Sequence, residues 1–325
     1  MKFDTLIIGG GLAGLTCGIR LQKNGVKCAI VSTGQSALHF SSGSFDLLNE
    51  LADGTKVDNP VAAADKVGAN HPYAKLGDNF AYYVREAKQQ FLDCGIEVNG
   101  DAEHNHLRIT PMGTLKPTWL TFSDFTPLSS ANDIAGKKIL VVNMAGFLDF
   151  NTKFVADSFE KYGAECRISS INLPELERLR ISPTEMRSTN IARVLENEKT
   201  LEALILELTG KISDFDIVAL PAVFGLSSAA SVKKLKESLD IPVWLIPTMP
   251  PSVPGIRAQQ QLRRSFEELG GVYMLGDTVV KADFSGNKVQ AVYSVNHGDI
   301  SFVAENFILA SGSYFSNGLV AQPDS

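Results

Sequence analysis

The chain has 325 residues, is 44% hydrophobic and carries a formal net charge of −6. That length holds one large or two ordinary domains with a substantial core, and the acidic balance, with no Lys/Arg-rich run, excludes nonspecific nucleic-acid binding. No stretch of about eighteen apolar residues occurs, and the first residues read as strand, without the charged leader and cleavage site of a signal peptide.

The first element is the most informative. Phe3, Leu6, Ile7 and Ile8 form an apolar run that breaks into Gly9, Gly11 and Gly14 in G-x-G-x-x-G spacing, followed by helix-compatible residues. Strand, tight turn and helix start are the phosphate-binding unit of a dinucleotide fold. Gly9 permits the turn, Gly11 lets a pyrophosphate approach the backbone, and Gly14 lets helix and strand pack closely. Free N–H groups and the helix dipole attract the anion. The plain alternative is a glycine-rich turn with no ligand. A second strand at 25–31 supports the ligand reading. That strand ends Ile30-Val31-Ser32-Thr33-Gly34-Gln35, without the carboxylate that usually holds a ribose. Ser32 offers one hydroxyl in its place, and FMN and FAD both stay open.

A polar loop over 34–46 contains His39 and the run Ser41, Ser42, Gly43, Ser44. Apolar spacing predicts a helix over 77–94, and short strands are expected over 106–122 around Pro111 and Gly113. From Lys137 strands at 139–142, 165–171, 216–220 and 243–246 alternate with helices at 151–162 and 231–239. This pattern predicts a second, small parallel sheet. A Pro-rich turn then opens a helix over 255–269, followed by strands at 272–275, 279–284, 289–295 and 302–304 and a last apolar strand from Asn306 towards Ser313. The expected fold is therefore α/β: a discontinuous, doubly wound Rossmann-like domain over 1–124 and 251–325, with an inserted α/β capping or substrate domain over 125–250. The cysteines Cys17, Cys28, Cys94 and Cys166 form no C-x-x-C, so no iron–sulfur or structural zinc site is encoded, and a reducing, cytosolic location fits.

These pieces stand in the order of a flavoprotein. Ala310-Ser311-Gly312 is similar to the A-T-G turn that brings a glycine, here Gly312, near the cofactor phosphates. The stretches 34–44, 248–257 and 310–320, with Asn190-Ile191-Ala192-Arg193 and Pro111-Met112-Gly113-Thr114-Leu115, resemble the B subunit of anaerobic glycerol-3-phosphate dehydrogenase over essentially the whole chain. Members of that family continue past this turn with a strand, a glycine-rich turn and a helix, whereas this chain stops at Ser325. An incomplete flavin domain with weak flavin retention or aggregation is therefore expected.

The resemblance implies a flavin and oxidation of sn-glycerol 3-phosphate to dihydroxyacetone phosphate. A base takes the C2 hydroxyl proton while hydride leaves C2 for the flavin. It also implies a catalytic A subunit in a heterodimer, a membrane-anchoring Fe–S C subunit and menaquinone as acceptor, which would place the chain in the cytoplasm at the inner face of the membrane. The alternative is a flavin-bearing or structural relay partner that binds no substrate. An NAD-dependent dehydrogenase is disfavoured by the missing ribose carboxylate.

The candidate flavin contacts are Gly9, Gly11, Gly14, Ser32, Ser41, Ser42, Gly43, Ser44 and Gly312. Weak catalytic candidates are His39, which titrates near neutral pH, and Arg257, whose guanidinium at a helix start can hold a phosphate. Arg187 and Arg193 are alternatives, each weighed against a surface ion pair. His104, His106 and His297 read as surface residues, and no general base can be named.

Overall fold

The computed structural model describes residues 1–182, 184–313 and 318; the other residues of the 310–320 stretch and the final tail lie outside the described residues. In chain order the elements begin with β1 (Lys2–Ile8), α1 (Leu12–Lys23), β2 (Cys28–Ser32) and β3 (Ser44–Phe45). Next come α2 (Pro72–Leu76), α3 (Asn79–Asp93), β4 (Val98–Asn99), β5 (His106–Ile109), β6 (Leu115–Thr118) and β7 (Leu120–Phe122). An alternating stretch comes after these, with β8 (Lys138–Met144), α4 (Thr152–Lys161), β9 (Glu165–Ile171), α5 (Pro174–Ile181), α6 (Ser188–Leu195), α7 (Glu198–Thr209), β10 (Ile217–Pro221), α8 (Ala230–Glu237) and β11 (Val243–Ile246). The chain continues through α9 (Val253–Glu268), β12 (Val272–Leu275), β13 (Val279–Ser285), β14 (Lys288–Ser294) and β15 (Phe302–Leu309).

The chain divides into two units, 1–39 with 258–325, and 40–257. The described residues of the first unit build a six-stranded sheet in the order β12-β2-β1-β15-β14-β13. β1 pairs in parallel with β2 and β15, and β12 in parallel with β2, while β13 and β14 are antiparallel. β2 is buried along its whole length, as a strand covered on both faces must be. Leu6, Ala29, Val31, Val292 and Phe302 pack as one apolar cluster. α1 lies close because Gly18 has no side chain: a Cβ there would meet the Phe266 ring at 2.8 Å and Ile30 at 3.2 Å. β1 sits between β2, reached through α1, and β15, which arrives from the far end of the sequence. The crevice outside such adjoining strand ends is where open α/β sheets bind ligands.

The second unit carries the expected parallel sheet, in the order β11-β10-β8-β9. Two small antiparallel arrangements accompany it, β3-β7-β4 and the hairpin β5-β6. The hairpin's turn sits against α4, because Gly113, at φ +78°, would place a Cβ 2.8 Å from the Val155 Cα.

Three expectations are corrected. The domain boundary falls at 39/40 and 257/258 rather than at 124/125 and 250/251. Residues 40–124 do not join the six-stranded sheet. They pair among themselves and with residues beyond 124: Leu107 bridges Leu128, and Lys236 Nζ donates to the carbonyls of Ser123 and Asp124. The strands expected at 302–304 and from Asn306 are one strand, β15, because the pairing with β1 keeps one register on both sides of the exposed Glu305. Helices α5, α6 and α7 fill a stretch for which no element was expected. Pro174 in the first turn of α5 and the Asn197 cap that accepts from Thr200 N at 3.2 Å are their local start signals.

A buried carboxylate ties β13 and β14 together. Asp277 is 2% exposed and accepts from the backbone N–H groups of Thr278 and Asn296, with His297 Nδ1 at 2.8 Å. His297, expected at the surface, is thus a structural partner. Burial opposes ionisation of Asp277, but bonds from Ser294, Asn296, His297 and Thr278 outweigh it and hold the carboxyl below its ordinary value. A folded-state pKa lying below the unfolded one gives stability that is complete above about pH 4 and lost as pH falls through the folded value. Urea midpoints measured against pH are therefore expected to separate wild type from Asp277→Asn at pH 6 and to bring them together in acid. A gap that is constant with pH would remove the charge from this account.

Candidate functional site

Each glycine of the first turn has its own steric reason. Gly9 has φ +117°, and a Cβ there would lie 2.2 Å from the Ala310 carbonyl oxygen at the end of β15. Gly14 would bring a Cβ to 1.9 Å of the Gly9 carbonyl oxygen, so α1 packs onto the turn only without a side chain there. Gly10, not singled out from the sequence, is equally constrained: its Cβ would meet the Tyr273 hydroxyl at 2.0 Å and Ser32 Cβ at 2.6 Å. Gly11 differs. Its nearest neighbour would be Ser36 Cβ at 3.5 Å, which leaves an open approach to the start of α1.

That start has no side-chain cap and no acidic residue in its first turn. Four N–H groups at a helix start have no intrahelical partner, and the helix dipole concentrates positive potential there. The arrangement of Gly9, Gly11, Gly14 and an uncapped twelve-residue helix fits an anionic diphosphate, with the backbone as donor. Gly312, at φ +99°, follows β15 in the segment whose Ala310 N–H donates to the Ile8 carbonyl. It therefore belongs to the same end of the sheet as the glycine turn.

Around the turn the structure assembles a polar group that sequence spacing does not reveal. Gln259 on α9 accepts from Ser36 Oγ at 2.9 Å and donates to the Gly10 carbonyl at 3.4 Å, and Tyr273 Oη donates to the same carbonyl at 3.2 Å. Gln259 and Tyr273 lie more than two hundred residues from Gly10, so no local pattern announces them. Burial pushes the His39 imidazole below its ordinary value, with a bond to Gln259 opposing the shift. His39 Nδ1 is buried without a protein partner, the condition of an atom served by water or ligand. Ser32 is 5% exposed, and its hydroxyl donates to the Gly34 carbonyl at 3.2 Å; that proton is already used within the loop.

The Ser41–Ser44 run lies in the other unit. Ser41 Oγ accepts from Gly43 N at 3.0 Å, and Ser44 is in β3, opposite Thr121. Gly43, at φ +81°, would place a Cβ 2.0 Å from the Phe125 ring, so this glycine is explained by packing. Ser42 is half-buried.

Arg257 requires a correction. Its guanidinium is not open to a phosphate. It is 5% exposed, and Nη2 donates to both Asp124 carboxylate oxygens at 2.6 and 2.5 Å, while Nη1 donates to the Gly225 carbonyl. A buried guanidinium must be paired, and this one is paired with a side chain far away in sequence. Arg187 forms the exposed ion pair weighed against its functional reading, with Asp149 at 3.1 Å, and Arg193 bonds Asn190. His106, expected at the surface, is half-buried with Nε2 2.7 Å from Thr121 Oγ1. The four cysteines are free thiols, and burial pushes Cys28 up to about 11 and Cys166 up to about 12. Among the described residues no group of His, Cys, Asp and Glu is arranged to hold a metal ion.

A parallel α/β sheet with an uncapped, glycine-lined helix start defines a dinucleotide-binding protein. The family described as FAD binding domain matches residues 4–325, so the cofactor class is flavin. The chain is 44% identical over 326 residues to the anaerobic glycerol-3-phosphate dehydrogenase B subunit of Yersinia enterocolitica, covering 99% of this chain and 77% of the relative. It is 39% identical over 330 residues to the protein of the same name from Actinobacillus pleuropneumoniae, covering 99% and 77%. The chain belongs to the family of anaerobic glycerol-3-phosphate dehydrogenase B subunits. Among solved structures, 3-ketosteroid delta1-dehydrogenase from Sterolibacterium denitrificans aligns over 96% of this chain and 48% of its own, at 13% identity and a TM-score of 0.40. That superposition adds nothing to the strand order described above.

Proposed function

We propose that this chain is the flavoprotein subunit of an anaerobic, quinone-linked glycerol-3-phosphate dehydrogenase. It oxidises sn-glycerol 3-phosphate to dihydroxyacetone phosphate within a complex. The observation that carries the reading is the open, uncapped start of α1 behind Gly9 and Gly11, in a chain 44% identical to a protein of that name. When bound, the flavin supplies the two-electron acceptor for the hydride that leaves C2 of the substrate. The chain's own part is positional. The free N–H groups of α1 hold the cofactor diphosphate, with Gly11 giving access and Gly9, Gly14 and Gly312 keeping side chains out of the way. Gln259 and Tyr273 fix the Gly10 carbonyl, which holds the turn in shape. His39, whose buried Nδ1 has no protein partner, would be the polar side chain available to the ligand beside the turn.

The partners in this reading are a catalytic A subunit and an Fe–S C subunit that anchors the assembly to the inner face of the cell membrane and passes electrons to menaquinone. No helix among the described residues is long and apolar enough to cross a membrane, which suits attachment through another chain. The test has two parts. Flavin released from the purified chain is identified by absorbance and mass, with FAD expected. The chain is then combined with its two partners, and bleaching of the flavin by sn-glycerol 3-phosphate is followed anaerobically. Bleaching that needs this chain's flavin supports the reading; a complex that turns over with this chain flavin-free removes it.

A further inference from the structure

The hairpin β5-β6 carries a charge that the protein does not satisfy. Arg108 is 9% exposed, and its Nε and Nη1 are buried without any hydrogen-bond partner. It forms no ion pair among the described residues. Burial pushes its guanidinium below its ordinary value, and the nearby Asp46 only partly offsets this. Asp46 is committed elsewhere: its carboxylate takes Lys116 Nζ at 2.5 Å and Thr118 Oγ1 at 2.9 Å.

Arginine stays protonated in proteins, so a buried guanidinium with two idle donors is a desolvated positive charge. A neutral orphan, such as the Asn49 or Asn105 side-chain oxygen, needs no more than a single water. A desolvated guanidinium calls for an anion, whose oxygens accept from its idle donors more strongly than a neutral group does. The strand register points the same way. Arg108 lies opposite Lys116, and His106 opposite Thr118, across the antiparallel pair. Residues at alternate positions share a face, so Arg108, Lys116, His106 and Thr118 line one side of the hairpin. Two cations and a hydroxyl on one face against a single carboxylate leave a net positive surface. Trp119, the residue after β6, is 7% exposed with its indole N–H also lacking a partner.

We propose that this face of the β5-β6 hairpin is an oxyanion site for a small phosphate monoester, with Arg108 as the main donor and Lys116, paired with Asp46, as a second cation beside it. It rests on the proposed function to the extent that sn-glycerol 3-phosphate is the natural occupant; the phosphate chemistry itself rests on Arg108. The site gives a flavin carrier a substrate-binding role as well.

The test is thermal melting of the flavin-loaded chain with inorganic phosphate, sn-glycerol 3-phosphate or glycerol. A ligand that binds only the folded state raises the midpoint with its concentration. Both phosphates are expected to do so and glycerol is not. Arg108→Met is expected to weaken phosphate binding about tenfold to hundredfold, the size of a lost charge-assisted bond. Its midpoint without ligand should equal or exceed that of wild type, because replacing an unpaired buried charge by an apolar chain relieves desolvation. Its flavin content should match wild type. Lys116→Ala, at a half-exposed side chain whose pair with Asp46 is worth little to stability, should weaken binding severalfold, and it decides the matter if Arg108→Met does not fold. No dose-dependent shift in wild type, an undiminished shift in the variants, or loss of flavin from Arg108→Met overturns the site; the last would assign Arg108 to the cofactor. The two readings separate cleanly. Flavin bleaching by sn-glycerol 3-phosphate without Arg108-dependent binding keeps the function and removes the site. Arg108-dependent binding without bleaching does the reverse.

Discussion

Replacing Gly9 with alanine is expected to destabilise the flavin-binding unit by about 4 kcal/mol or more and to abolish flavin retention. Two effects add. Alanine at φ +117° is strained, and its Cβ would lie 2.2 Å from the Ala310 carbonyl oxygen. That carbonyl is backbone at the end of β15, whose ladder to β1 is continuous from Thr5↔Asn306 to Ile8↔Leu309. Relief requires prising apart the two central strands of the sheet at the ligand end. Gly25 isolates the first effect: it has φ +78° and nothing within 4 Å of the added atom. Gly25→Ala should cost only about 1 kcal/mol and leave flavin in place. Urea unfolding and flavin absorbance of both variants measure the difference. Equal losses at the two positions would show that the approach of Ala310 is not what Gly9 serves.

Truncating either member of the Asp124–Arg257 pair is expected to cost about 3–5 kcal/mol, because the partner is left charged and buried. The Arg257 and Asp124 side chains are 6% and 4% exposed, and Gly225 and Lys236 are tied into the same network. The loss is a penalty of isolation rather than the worth of the bridge. Asp124→Leu with Arg257→Met should therefore recover most of it, since an apolar pair of similar volume needs no compensation. Chemical denaturation of the two single variants and the double measures this. A double variant as unstable as the sum of the singles would contradict it. Arg108 provides the contrast. Arg257→Ala should destabilise without touching phosphate affinity, and Arg108→Met the reverse, because one guanidinium has found its carboxylate and the other has not.

Much of the first unit was legible because its signals are local. Gly9, Gly11 and Gly14 sit within six residues after an apolar run, and the geometry they imply involves only β1, the turn and α1. The parallel sheet of the second unit was legible for the same reason: β8, β9, β10 and β11 are short strands separated by helices. The Ser41–Ser44 run was less so. Its composition suits a ligand edge, but Gly43 is accounted for by the Phe125 ring, a contact across about eighty residues. Arg257 is ambiguous in the sequence, because a basic residue at a helix start reads the same whether it faces a ligand or a carboxylate. Arg108 is silent there, since nothing beside it in the chain signals burial.

The sequence by itself determined the class of protein, the glycine turn before α1 and the α/β alternation, because these come from contiguous patterns of glycine and hydrophobicity. Only the tertiary structure decided where the two units divide, that Gln259 and Tyr273 brace the glycine turn, and which arginine is satisfied. Each of those depends on which distant residue arrives beside a buried polar group. For Arg257 that residue is Asp124, 133 positions away. The free energy of a buried charge is set by such a neighbour, not by the residues on either side of it in the chain.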